Sequence, residues 1–288
     1  MMKLKFFTLL LALGATVWSL YSCDNNDDES INVPIELQDA FSAKYPNVAN
    51  VKWESKSGYY VADFYDGYEA SAWFTQDGTW QMTETDIPYT ALPQAVKTSF
   101  EASEYKSWEI DDVDKLEREG FEIVYVIEVE NQNQEMDLYY SQEGVLVKSV
   151  VDTDDDRDDQ HLPDQNAKLT KEMNDFLNIK YPGFKLVEID VEDDGKYAGY
   201  TEVDITHGSI GKEVLFDKSG EWVLTSWEVR FNTLPEPVKN AINTTYPGQV
   251  DDDDADYVEE ATGVTYYLID IENSEIDVKI SADGQILS

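Results

Sequence analysis

Asp77-Gly78-Thr79-Trp80, followed by Leu92-Pro93-Gln94-Ala95-Val96-Lys97-Thr98-Ser99-Phe100, is the stretch that decides the fold. Its landmarks return as Ser219-Gly220-Glu221-Trp222 and Leu234-Pro235-Glu236-Pro237-Val238. Gly78 and Gly220 are 142 positions apart (220 − 78), and so are Pro93 and Pro235 (235 − 93). Two landmarks with one offset identify a duplicated block, the feature to seek before any other. Glu143-Gly144 and Asp283-Gly284 repeat the polar-residue-plus-glycine pair of a hairpin. Each block therefore holds two shorter, related units.

The unit reads as one helix followed by antiparallel strands. Pro93 suits a first helical turn, where its missing N–H costs nothing. Val96 and Phe100 then share a face. The same four-residue step runs through Leu37, Phe41 and Tyr45, through Met173, Leu177 and Tyr181, and through Val238, Ile242 and Tyr246. Tyr45-Pro46, Tyr181-Pro182 and Tyr246-Pro247 close three of these helices, because proline drives the preceding residue out of the helical region. Strands follow. Phe121, Ile123, Tyr125, Ile127 and Val129 alternate with Glu122 and Glu128, and Ile276, Val278 and Ile280 alternate with Glu275, Asp277 and Lys279. Period-two patterns predict sheets with one face on the core. Ala70, Ala72 and Phe74 are expected to face a helix, with Glu69, Ser71 and Trp73 on the other side.

The helix ending Tyr45-Pro46, the Trp53-Glu54 strand, the Asp77-to-Trp80 hairpin and the Leu92-Pro93 helix resemble the PepSY-like, beta-lactamase-inhibitor-like family of secreted Bacteroidetes proteins. The resemblance covers nearly the whole chain beyond its front end, twice over. It implies an α+β fold in two tandem copies, with helices packed on one face of antiparallel sheets and the reverse face open. It implies no catalytic residues. Two departures stand out. Glu104-Tyr105-Lys106 occupies the place of a Tyr-Pro, and Asp251-Asp252-Asp253-Asp254 stands where a strand should begin, which predicts a shortened strand.

The front end has its own logic. Lys3 and Lys5 precede an apolar stretch from Phe6 to Leu20, which leads to Tyr21-Ser22-Cys23. A positive start and a short apolar stretch describe a secretory signal, and the length falls below the roughly 20 residues of a membrane span. The ending resembles a bacterial lipobox, with Tyr21 where a small residue is usual. Residues 1–22 are thus expected to be a signal peptide and Cys23, the single cysteine, the lipidated residue. Residues 23–32 form an acidic tether, 33–151 the first domain, 152–164 an acidic linker and 165–288 the second domain. The expected location is the outer membrane, displayed on the cell surface or else facing the periplasm.

Among 288 residues, 60 are acidic and 21 basic, a formal charge of −39. Such a chain repels nucleic-acid phosphates and anionic lipid headgroups and suits cationic partners. The membrane is met only through the lipid. With two histidines and a committed cysteine, no Ser-His-Asp or Cys-His arrangement is at hand, and no Walker loop, dinucleotide fingerprint or His-Glu-x-x-His occurs. No enzyme activity and no cofactor are expected. Asp152, Asp154 and Asp156 have the opening spacing of a calcium loop, but Arg157 replaces its glycine and Pro163 its glutamate, so no metal site is assigned. Seven Trp and 18 Tyr offer a binding hypothesis, since these residue types dominate interface hot spots. Strand alternation nominates Tyr59, Tyr65, Trp73, Tyr139, Tyr200 and Tyr266 for the open sheet faces. The expected function is noncatalytic binding of a protein or peptide there, with an inhibitor-like role within its scope. The alternatives are a calcium-binding surface adhesin and a carbohydrate-binding accessory lipoprotein.

Overall fold

The computed structural model describes residues 31–131, 134–152, 161–164, 166–193, 195–250, 255–271 and 277–287. The expected signal peptide, Cys23, most of the expected acidic linker and the aspartate run at 251–254 lie outside the described residues. The first block runs α1 (Ile35–Lys44), β1 (Val51–Lys56), β2 (Tyr59–Tyr65), β3 (Glu69–Phe74), β4 (Trp80–Asp86), α2 (Gln94–Ala102), β5 (Glu109–Arg118), β6 (Val124–Asn131), β7 (Gln134–Ser141) and β8 (Leu146–Asp152). The second runs α3 (Lys171–Lys180), β9 (Lys185–Val191), β10 (Thr201–His207), β11 (Ile210–Phe216), β12 (Trp222–Glu228), α4 (Glu236–Thr245), β13 (Ala255–Glu260), β14 (Thr265–Ile269), β15 (Val278–Ile280) and β16 (Ile286–Leu287). Each block is one eight-stranded antiparallel sheet in which strands pair in chain order. A helix precedes each run of four strands, so β4 reaches β5, and β12 reaches β13, through a helix rather than a hairpin.

The helices end as their sequence demands. The N–H of Tyr45 reaches the Phe41 carbonyl (2.8 Å), and Tyr181 and Tyr246 repeat the bond to Leu177 and Ile242 (2.7 Å each). The prolines that follow cannot donate the next one. In unit two, a 3-10 turn over Glu104–Ser107 takes the place of Tyr-Pro, and Tyr105 is buried edge-on to Trp108 with ring centroids 5.3 Å apart. The aspartate run precedes a β13 of six residues, against ten in the corresponding β5.

The recurrent hairpin glycines have a steric cause. Gly144 adopts φ +79°, and a Cβ there would lie 2.5 Å from the Ala95 carbonyl oxygen at the start of α2. Gly284 repeats this against Pro237 of α4 (φ +85°, 2.6 Å). The last hairpin of each of these units abuts the first turn of its helix, and only glycine combines the left-handed backbone with that closeness.

Helix stripe and sheet face meet as expected. Leu37 and Phe41 pack on Ala62, Phe64, Ala70, Ala72 and Phe74, and Val96 and Phe100 on Val113, Tyr125, Ile127, Val129, Leu138 and Tyr140. A polar clasp locks α1 and α3 down. Trp80 donates its indole N–H to Thr83 Oγ1 (2.9 Å), which also bonds the Tyr45 hydroxyl. In the second block Trp222 and Tyr181 both donate to Thr225 Oγ1 (3.0 and 2.8 Å). Lys44 and Lys180 lie over the faces of Trp80 and Trp222.

The expectation of an open reverse face needs correction. In the first block Val61, Trp73, Met82, Leu116, Val124, Val126, Tyr139 and Val147 form one buried cluster there, completed by Val187 of β9, with Leu162 of the connecting segment packed against it. The companion block thus covers the centre of that face.

Candidate binding face

The cover is fastened by a seam of buried charge. Arg118, at the end of β5 and 5% exposed, donates to Glu188 Oε1 (3.1 Å) and to the Val187 carbonyl (2.9 Å). Lys148 of β8 pairs with the same Glu188 and lies 3.8 Å from Asp204 of β10. Burial pulls the Arg118 pKa down, yet guanidinium stays charged in proteins. Beside this pair, the Glu122 N–H bonds the Leu186 carbonyl (2.7 Å), and its carboxylate accepts from Lys185 (2.8 Å) and Thr206 (3.0 Å). Lys185 also bridges Glu143 (2.6 Å). Burial pushes Glu122 up, while the hydrogen bond from Lys185 holds Glu143 down. These contacts, with Asp164 accepting from the Val191 N–H (3.1 Å), occupy the outer edge of β9. A bare edge would invite strand pairing with another chain. The cleft of about 410 Å³ lined by Glu122, Glu143 and Lys185 belongs to this seam.

Away from the seam, the reverse face of the first sheet turns acidic. Ladder register sets Asp86 opposite Asp114, Glu128 opposite Asp137 and Glu130 opposite Glu135. Asp114 also stands opposite Val126, and Val126 opposite Tyr139, so these carboxylates share the face of the buried cluster. Like charges directly opposite each other destabilise a sheet. The strip runs from exposed Asp112, Glu130 and Glu135, through half-buried Glu84 and Glu128, to buried Asp114 and Asp137. Burial, followed by Glu84, Asp112 and Glu128, pushes the Asp114 carboxyl up to about 8. His161 is buried edge-on to Tyr139, with Nδ1 3.4 Å from Glu84.

The nominated aromatics separate into two groups. Trp73 (2% exposed), Tyr139 and Tyr266 are buried, which removes them from any free surface. Alternation places Trp73 and Tyr139 on the reverse face as expected, but that face is an interior at their positions. Tyr266 belongs to the corresponding cluster of the second sheet, with Leu215, Leu224, Val258 and Leu268. Tyr200 is half-buried against that cluster beside Tyr197 (5.5 Å between rings). Tyr59 is half-buried edge-on to Trp73 (6.1 Å), and Tyr65, at 68% exposure, is open to solvent. Sequence reasoning missed the charged seam and the cross-strand carboxylate pairs. A signal existed for both: Arg118 and Lys148 sit within apolar strand patterns, and Asp86 and Asp114 keep their counterparts 142 positions on, at Glu228 and Asp256.

Among the described residues, no group of three His, Cys, Asp or Glu side chains is placed to hold a metal ion. No helix of the described residues is long and apolar enough to cross a membrane.

The family model described as beta-lactamase-inhibitor-like, PepSY-like matches residues 58–148 and again 199–288. A BLIP-like protein from Bacteroides fragilis is 38% identical over 46% of this chain and 96% of its own, with a TM-score of 0.42. A DUF2874 family protein from Bacteroides ovatus is 30% identical over 42% of this chain and 89% of its own (TM-score 0.40), and one from Bacteroides uniformis 27% identical over 41% and 88% (TM-score 0.39). No curated protein matches.

Proposed function

Because the chain belongs to the beta-lactamase-inhibitor-like, PepSY-like family and carries its unit twice, we propose that it is a noncatalytic cell-envelope lipoprotein, anchored at Cys23, that binds a cationic protein or peptide segment. The segment lies against the acidic end of the first sheet's reverse face, with Tyr65 at its border. One observation carries this reading: two pairs of carboxylates set in register on one face, Glu128 with Asp137 and Glu130 with Glu135. Lysine or arginine side chains that approach this end meet carboxylates of one sign. Electrostatic complementarity of this kind acts mainly on association rate and partner choice, while tyrosine supplies area at low entropic cost. The seam fastens the second block over the centre of the same face.

Calorimetric titration of the mature chain with an oligolysine peptide tests the proposal. Binding is expected at low ionic strength, weakening as salt rises, and falling at least tenfold in a Glu128→Gln, Glu130→Gln, Glu135→Gln variant. Absence of binding, or binding indifferent to both salt and the substitutions, overturns it.

A further inference from the structure

Of the acidic pairs in the first block, one is retained in the second at the same place. Asp86 faces Asp114 across the β4–β5 junction, and Glu228 faces Asp256 across β12–β13. These are the junctions at which each sheet is joined through a helix rather than a hairpin, so the ladder itself and its side chains hold the two half-sheets together. The inner member of each pair is buried: Asp114 is 4% exposed and Asp256 7%. No side-chain hydrogen bond holds either carboxyl among the described residues. Two ionised carboxylates across a ladder, one of them out of water, are strongly disfavoured, and a single proton removes the conflict.

We propose that these two pairs are proton-held latches: a proton on each pair keeps the half-sheets of its block closed, and loss of that proton sets two like charges against each other across the junction. Around Asp114 stand Asp112 on its own strand, Glu84 and Asp86 on β4 and Glu128 on β6, with His161 reaching Glu84 and Tyr139 beyond Val126 on the same face. Around Asp256 stand Glu228 on β12, Glu213 on β11 and Asp277 beside β15, while Lys279 of β15 donates to the Tyr266 hydroxyl (3.2 Å). Burial is the main cause that raises both inner carboxyls, Asp114 to about 8 and Asp256 to about 7, from an ordinary 3.8. The sign follows. A proton bound in the folded but not the unfolded chain stabilises below the unfolded pKa, and that stabilisation is lost as pH rises through the folded value. The window runs from about 4 to about 8 for the Asp114 pair and to about 7 for the Asp256 pair, and within it each pair raises the unfolding constant up to tenfold per pH unit.

Equilibrium unfolding of the mature chain across pH 5 to 9 is the test, comparing wild type with Asp114→Asn, Asp256→Asn and the double variant. Asparagine mimics the protonated acid, so the double variant is expected to lose up to a hundredfold per pH unit of the wild-type dependence. Carboxyl carbon NMR titration of wild type supplies a second readout that needs no variant, and Asp114 and Asp256 are expected to titrate well above the ordinary carboxylate value of about 4. Ordinary midpoints for both, or a double variant with the wild-type pH slope, overturn the proposal.

Discussion

Replacing Arg118 with alanine probes the seam at its most committed residue. The guanidinium is 5% exposed and donates to Glu188 at 3.1 Å and to the Val187 carbonyl at 2.9 Å. Truncation removes these two bonds and a longer one to the His161 carbonyl (3.5 Å), leaves the Val187 carbonyl without this donor and strips Glu188 of one of its two cations. Breaking a buried pair by deleting one partner costs about 3–5 kcal/mol, chiefly because the surviving charge stays buried. Lys148 still neutralises Glu188, which places the expected loss at the lower end, about 3 kcal/mol. Urea unfolding monitored by tryptophan fluorescence measures it. Adding Glu188→Gln to Arg118→Ala should recover part of the loss, because the orphaned charge is then gone, and the double-mutant cycle isolates the pair. A loss under about 0.5 kcal/mol would match an exposed ion pair rather than a buried one and would refute the claim that this seam joins the two blocks.

Three further outcomes follow from the same geometry. Gly144→Ala should cost about 2–3 kcal/mol, since left-handed strain is joined by a clash with the Ala95 carbonyl, while Gly58→Ala, at φ +85° with open space around it, should cost about 1 kcal/mol in the same urea assay. Thr225→Val should cost about 1–3 kcal/mol by leaving the Trp222 N–H and Tyr181 hydroxyl without their buried acceptor, and Thr225→Ser should restore most of it in thermal unfolding. Tyr65→Ala should leave stability within about 0.5 kcal/mol, as exposed positions do, yet weaken oligolysine binding measured by calorimetry. An unchanged affinity would remove Tyr65 from the binding face.

The duplication, the four helices and the terminators of three of them were legible in the sequence because they rest on local chemistry: proline after tyrosine, glycine at a hairpin tip and apolar residues four apart. The outward direction of Trp73 and Tyr139 was legible too, because alternation assigns a face. What covers that face was not, since a period-two pattern is identical whether the second side meets water or another block. One hint was present. Val124 to Ile127 is apolar without alternation, the pattern of a strand buried on both sides. Arg118 and Glu188 lie 70 positions apart and meet only after both sheets have formed. Their partnership is a property of tertiary packing, with no local signature. The acidic pairs needed register, which hairpin lengths supply within a half-sheet but not across the helical connection between β4 and β5.

Carbodiimide footprinting of carboxylates, read by mass spectrometry on the mature chain with and without an oligolysine peptide, tests the central claim most directly. Protection is predicted at Asp112, Glu128, Glu130 and Glu135, with the carboxylates on the helical sides of both sheets labelled as before. Protection confined to the helical sides, or a pattern that does not change when peptide is added, would contradict it.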